Sequence, residues 1–132
     1  MSSVLRAGLV VGASVLTVGC GGEEPKDTAG ARRAVERYYA ALASGDGRSA
    51  CGLLTEDRRR SLDQPPGRCP KDVLREGAGL ESPRDAGISR VRLDGESATA
   101  RVTTSQGHGA AEHSVSRVVR LRRTGRSWRI AG

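Results

Sequence analysis

Three cysteines, two histidines and two tyrosines are the residues whose types could do chemistry in this 132-residue chain. Cys51, Cys69, His108 and His113 can be imagined as a zinc set. Structural zinc sites, however, draw ligand pairs from short spacings such as C-x₂₋₄-C, and these two cysteines lie far apart. In an oxidising compartment the simpler reading is one disulfide between Cys51 and Cys69. Closing a loop of that size stabilises by about 3 kcal/mol. His108 and His113 flank a Gly-rich stretch and read as exposed turn residues. No Ser-His-Asp set, phosphate loop or metal motif stands out, so neither metal nor cofactor is expected.

The third cysteine carries the expectation about compartment. Met1–Arg6 bears one positive charge, Ala7–Val18 is an uncharged run, and the small residue Gly19 precedes Cys20. That is the layout of a secretory signal, and the run is shorter than the ~20 apolar residues a membrane span needs. With Cys20 directly after Gly19, Leu16-Thr17-Val18-Gly19-Cys20 resembles the lipobox of bacterial lipoproteins, departing from it at Thr17 where Leu is usual. The resemblance implies a signal over 1–19, lipid on the Cys20 thiol, and a domain held at the cell membrane outside the cytoplasm. More than one acyl chain is needed for stable anchoring. Residues 20–30 (GGEEPKDTAG after Cys20) are polar, lack periodicity and read as a flexible tether.

These residues need a scaffold, and the chain can build one small domain over 31–132. Its core is thin: no Phe, one Trp and two Tyr. A helix starting near Asp27 or Thr28 carries an apolar stripe of Ala31, Val35, Tyr38 and Leu42, with Ala34 and Ala41 beside it. Gly45 ends that helix and Asp46 caps a second, with Ala50, Cys51, Leu53 and Leu54 on its apolar side. The second helix either stops there or continues through Glu56–Leu62, until Gln64-Pro65-Pro66-Gly67. A short helix then starts at Pro70. From Ala86 the period becomes two: Ser89, Val91 and Leu93 alternate with Arg90 and Arg92. Ala98, Ala100 and Val102 alternate with Thr99 and Arg101, and Val115, Val119 and Leu121 with Ser116, Val118, Arg120 and Arg122. Asp94-Gly95 and Gly125 are turns, and Trp128 and Ile130 close the last strand. The expected class is α+β, two to three helices packed on an antiparallel sheet of about four strands.

RYYAALASGD, the short helix ending Leu53-Leu54-Thr55, the hairpin strands and the final WRI after a glycine turn together resemble the nuclear transport factor 2-like superfamily. That resemblance implies a cone, a curved sheet wrapped on a helix around a cavity. Because the superfamily includes ketosteroid isomerases, polyketide cyclases and many non-catalytic domains, it implies no single function. Tyr38 matches the tyrosine that donates to the developing oxyanion in ketosteroid isomerase. The same tyrosine would equally serve as a core residue with a polar partner for its hydroxyl. The family's base would be a carboxylate soon after helix 2, for which the nearest residue is Asp63, beside a Pro-Pro turn. Between Ser97 and Gly132 the only acid is Glu112, so a second donor is missing.

Net charge is +7, and all but two of the 22 basic residues are Arg. The absence of aromatics among them argues against single-stranded nucleic acid as a partner. Alternation puts Arg117 on the apolar face, where an Arg needs an anionic partner or ligand; a bulge shifting the register would instead turn it outward. Arg90, Arg92, Arg101, Arg120 and Arg122 fall on the other face and form a basic patch. The expectation is a non-catalytic envelope lipoprotein that binds a small hydrophobic ligand or a protein. Its alternatives are an enzyme of the ketosteroid-isomerase or polyketide-cyclase kind centred on Tyr38 and Asp63, and a structural accessory of a membrane complex using the arginine face.

Overall fold

The computed structural model describes residues 26–77, 86–106 and 113–132. Cys20, the signal segment, His108 and Glu112 lie outside the described residues. Within them run α1 (Lys26–Ala43), α2 (Gly47–Gly52), α3 (Glu56–Leu62), α4 (Cys69–Gly77), β1 (Gly87–Asp94), β2 (Ser97–Gln106), β3 (His113–Thr124) and β4 (Ser127–Ile130). The strands form one antiparallel meander in the order β1-β2-β3-β4. Helices pack on a single face of it, an α+β arrangement.

α1 begins at Lys26, inside the segment expected as tether. Asp27 sits in its first turn and pairs with Arg123 of β3 at 3.2 Å, and Arg123 lies 5.4 Å over the Trp128 ring. An acid there also suits the positive end of the helix dipole. Gly30 lies directly against Trp128, where a Cβ would stand 3.2 Å from the indole Cδ1. These interactions anchor the start of α1 on the β3–β4 edge. The buried stripe is Ala31, Ala34, Val35, Tyr39 and Ala41. Tyr39, at 4% exposure, therefore takes the core position, while Tyr38 and Leu42 are half-buried beside it.

Gly45, at φ +70°, closes α1: the Asp46 N–H donates to the Ala41 carbonyl at 2.9 Å. Asp46 then caps α2, accepting from the Ser49 backbone N–H at 3.1 Å and the Ser49 hydroxyl at 2.6 Å. Of the two courses open to the second helix, the chain takes the first: α2 stops at Gly52 and α3 is a separate helix. Thr55 N–H donates to the Ile130 carbonyl and Ile130 N–H to the Leu53 carbonyl, both at 2.8 Å, so this segment pairs with β4. Thr55 caps α3 through the Arg58 N–H at 3.3 Å. Cys51 and Cys69 are joined in a disulfide with Cα atoms 6.1 Å apart, linking α2 to the first turn of α4.

In the sheet, Ala98, Ala100 and Val102 of β2, Val119 and Leu121 of β3, and Trp128 and Ile130 of β4 face α1 and are buried. The β2–β3 register runs unbroken from Ser97↔Arg122 to Gln106↔His113. The irregularity lies in β1, where a bulge falls between Ser89 and Arg92 and Arg90 has φ +50°. It breaks the strict alternation expected for this strand. Ile88 pairs with Val102 and Leu93 with Ala98 on the inner side, whereas Ser89 and Arg92 pair with Arg101 and Thr99 on the outer side.

Candidate functional site

α1, α3, α4 and β3 converge on a cleft of 150 Å³ at the open end of the helix–sheet sandwich. Its apolar wall is Leu42, Leu54, Val119 and Ile130, the main chain of Gly77 and Gly132 completes the lining, and its polar side chains are Tyr38, Arg58, Glu76 and Arg117. Each arrives from a different element: Tyr38 from the flank of α1, Arg58 from the first turn of α3, Glu76 from the end of α4, and Arg117 from mid-β3.

Arg58 Nη2 donates to both carboxylate oxygens of Glu76 at 2.7 Å. Tyr38 lies edge-on to Tyr39, ring centroids 5.7 Å apart at 89°. Burial, followed by the negative charge of Glu76, pushes the Tyr38 hydroxyl up to about 12, against the opposing pull of Arg58 and Arg117. Burial likewise raises Tyr39. The Tyr38 phenol is thus held protonated and serves as a donor.

Arg117 sits across from buried Val102 in an unshifted register, so it keeps the inner face and emerges at the rim of the cleft. No bulge turns it outward. Among the described residues it has no ion-pair or hydrogen-bond partner. The cleft therefore presents one paired arginine, one unneutralised arginine and one neutral phenol around a small apolar wall. That is the equipment for holding an anionic head on an apolar body.

Asp63 is elsewhere. Its Oδ1 accepts the Cys69 N–H at 3.0 Å and the Gly67 N–H at 2.8 Å, tying down the turn that follows α3. These backbone hydrogen bonds, Cys69 first, hold its carboxyl below the usual range. It faces a loop rather than Tyr38 and is no general base for the cleft. Glu76, which no sequence motif singles out, is instead the carboxylate whose charge acts on Tyr38. Only its place, about two turns beyond Cys69 on the same helix, could have pointed to it. Cys51 and Cys69 are committed to each other, and among the described residues no three His, Cys, Asp or Glu side chains gather as a metal site. A broader depression of 710 Å³ between α3 and β3–β4 shares Leu54 with the cleft and is lined by charges of both signs, including Glu56, Asp57, Arg59 and Arg122.

No family model matches the chain, and none of the curated proteins does. Solved structures do resemble it. A SEC-C motif containing protein from Rhodopseudomonas palustris aligns at TM-score 0.64 and 15% identity over 80% of this chain and 77% of that one. An NTF2-like protein from Campylobacter jejuni aligns at TM-score 0.54 and 19% identity over 76% and 96%. An NTF2-like protein with a cystatin-like fold from Novosphingobium aromaticivorans aligns at TM-score 0.53 and 21% identity over 80% and 77%. Four helices packed on one face of a four-stranded antiparallel meander, with these neighbours, make this an α+β fold of the nuclear transport factor 2-like kind.

Proposed function

We propose that the chain is a non-catalytic cell-envelope lipoprotein, anchored through Cys20, whose cleft binds a small amphipathic ligand by an anionic group. The observation that carries the binding half is Arg117, an unneutralised guanidinium beside a protonated phenol and a wall of aliphatic side chains. A carboxylate seated there would accept from Arg117 and Tyr38, while its apolar body covers Leu42 and Val119. Charge-assisted hydrogen bonds of this kind are roughly twice as strong as neutral ones. At 150 Å³ the cleft takes a headgroup or a single ring, well below the ~300 Å³ at which enclosed ligand pockets begin.

Benzoate is a suitable probe. Titrated into the isotopically labelled protein, it should shift the backbone and side-chain resonances of Tyr38, Arg58 and Arg117. Shifts confined to other surfaces would refute the reading. The anchor is tested separately: Cys20→Ser should move the protein from the membrane to the soluble fraction, and a variant that stays membrane-bound would contradict lipidation.

Glu76 beside Tyr38 favours a second reading, a proton-transfer enzyme with Glu76 as base and Tyr38 as oxyanion donor. It ranks lower because both Glu76 oxygens are engaged by Arg58 and because the cleft encloses too little volume for a fused-ring substrate. Turnover of a small β,γ-unsaturated ketone that disappears in Glu76→Gln would raise it above the first.

A further inference from the structure

The outer face of the sheet has a feature that the cleft does not use. The β1 bulge brings Arg90 and Arg92 together with Arg101 of β2 around a shallow depression of 260 Å³, with Thr99 and Val118 completing its floor. Val118, at 55% exposure, is the bulkiest apolar side chain left in the open on that face. Arg120 continues the same face along β3, across from Thr99, while Arg122, across from Ser97, also lines the depression beside α3 that holds Glu56 and Asp57. Arg122 also stands directly opposite Arg129 of β4, whose guanidinium donates to the Gly52 carbonyl.

Among the described residues, arginines elsewhere are either paired or scattered: Arg33, Arg37, Arg48, Arg59, Arg117 and Arg126 carry no ion pair but are spread over three helices, the cleft and the β3–β4 turn. Arg58, Arg60, Arg68, Arg75 and Arg123 each pair with a carboxylate. Among the described residues none of Arg90, Arg92, Arg101, Arg120 or Arg122 does, and the acids of the β1–β2 turn, Asp94 and Glu96, form no ion pair with them. Like charges directly opposite on adjacent strands destabilise a sheet, and Arg122 faces Arg129 in this way. Arg90 also holds a positive φ, a conformation that costs a non-glycine residue energy. A face that concentrates unneutralised charge at the expense of stability is built for an anionic counter-surface.

We propose that this face lies on a membrane, with Arg90, Arg92 and Arg101 receiving the phosphates of anionic lipid headgroups. The face is broad and carries no Trp, Tyr or Phe, the side chains that anchor protein interfaces, and its one exposed aliphatic is ringed by guanidinium groups. Gly21–Pro25, between Cys20 and the start of α1, can span at most about 18 Å at ~3.5 Å per residue. An anchor at Cys20 would thus keep the sheet within reach of headgroups, but the charge argument stands without it.

The test uses the full chain carrying Cys20→Ser, sedimented with vesicles of phosphatidylcholine or of an equal mixture of phosphatidylcholine and phosphatidylglycerol. The readout is the ratio of anionic to neutral partition, which cancels any binding by the apolar N-terminal run. The ratio should exceed unity and fall with salt. Each basic residue near such a surface contributes about five-fold in affinity, so R90S/R92S/R101S should cost roughly a hundred-fold. The matched triple R33S/R37S/R48S, which removes equal charge from exposed helix positions, should keep the ratio within a few-fold. Equal losses in both triples would reduce the effect to net charge and overturn the proposal. Retention by the sheet triple, with an unchanged circular dichroism melt, would also overturn it. Abolition of vesicle binding by millimolar inorganic phosphate at constant ionic strength would mark a free-phosphate site instead and would equally overturn the membrane assignment.

Discussion

Arg58 on α3 holds both carboxylate oxygens of Glu76 on α4, and the pair stands against the Tyr38 hydroxyl. The two helices are short and pack on each other through few side chains, so this pair fixes their spacing at the cleft. Its direct worth is modest, because both side chains are more than a third open to water or nearly so, and exposed pairs contribute about 0–1 kcal/mol. Its larger effect is electrostatic.

Glu76→Gln should therefore lower the Tyr38 pKa from about 12 toward the ordinary 10.0, since it removes the second-largest cause of the rise. Ultraviolet titration of the tyrosinate band, compared with Tyr38→Phe, measures the shift. A Tyr38 pKa that does not fall in Glu76→Gln would contradict the geometry.

Stability should track the same group. The folded pKa is raised, so the protonated phenol favours the fold. That contribution is complete below pH 10.0 and is lost as pH rises toward about 12. The loss should be about 2 kcal/mol or less, given that Tyr38 is only partly buried. Denaturant melts of wild type and Tyr38→Phe across this window should diverge, wild type losing more.

Gly47 on α2 touches the backbone of Pro70 on α4: an added Cβ would stand 2.0 Å from the Pro70 carbonyl oxygen. Gly47→Ala should force α2 and α4 apart at the point where the disulfide joins them. A destabilisation of about 1–3 kcal/mol is expected, more than an alanine elsewhere on α2 would cause. Chemical denaturation measures it, and an alanine tolerated at no cost would show that the two helices sit further apart.

Reducing the Cys51–Cys69 bridge, or replacing both residues with Ser, should cost about 3 kcal/mol. Because α4 delivers Glu76 through this bridge, benzoate-induced shifts at Tyr38 should weaken as well. A bridge-less variant that melts like wild type would contradict the assignment.

The α+β class, the meander and the disulfide partners were legible in the chain because each rests on a simple signal: period-two alternation, Asp94-Gly95, and the two cysteines that remain once Cys20 is set aside. The β1 bulge was not, since Arg90 and Val91 satisfy alternation in sequence, and only pairing with β2 reveals the extra residue. Tyr38 and Tyr39 are adjacent and chemically equal, and the helical period that puts Tyr38 on the apolar stripe fits Tyr39, the residue that enters the core, just as well. α1 crosses the sheet from Trp128 toward Ile88, and that crossing buries Tyr39 and leaves Tyr38 at the cleft. For Arg117 the sequence leaves both the inner face and an outward-turning bulge open, and only the unbroken β2–β3 register puts it on the inner side. Its neighbours Arg58 and Glu76 were not legible, because they come from helices whose relative placement depends on the disulfide and on the Leu53–Thr55 pairing with β4.

The affinity of benzoate for wild type and Arg117→Gln, measured by calorimetry or by resonance shifts, tests the cleft most directly. Gln keeps the side chain polar but removes the charge. A hydrogen bond to a charged group is worth about 1.5–3 kcal/mol, so binding should weaken roughly ten- to a hundred-fold with an unchanged melt. Equal affinity in the two proteins would contradict the assignment of the cleft as an anion-binding site.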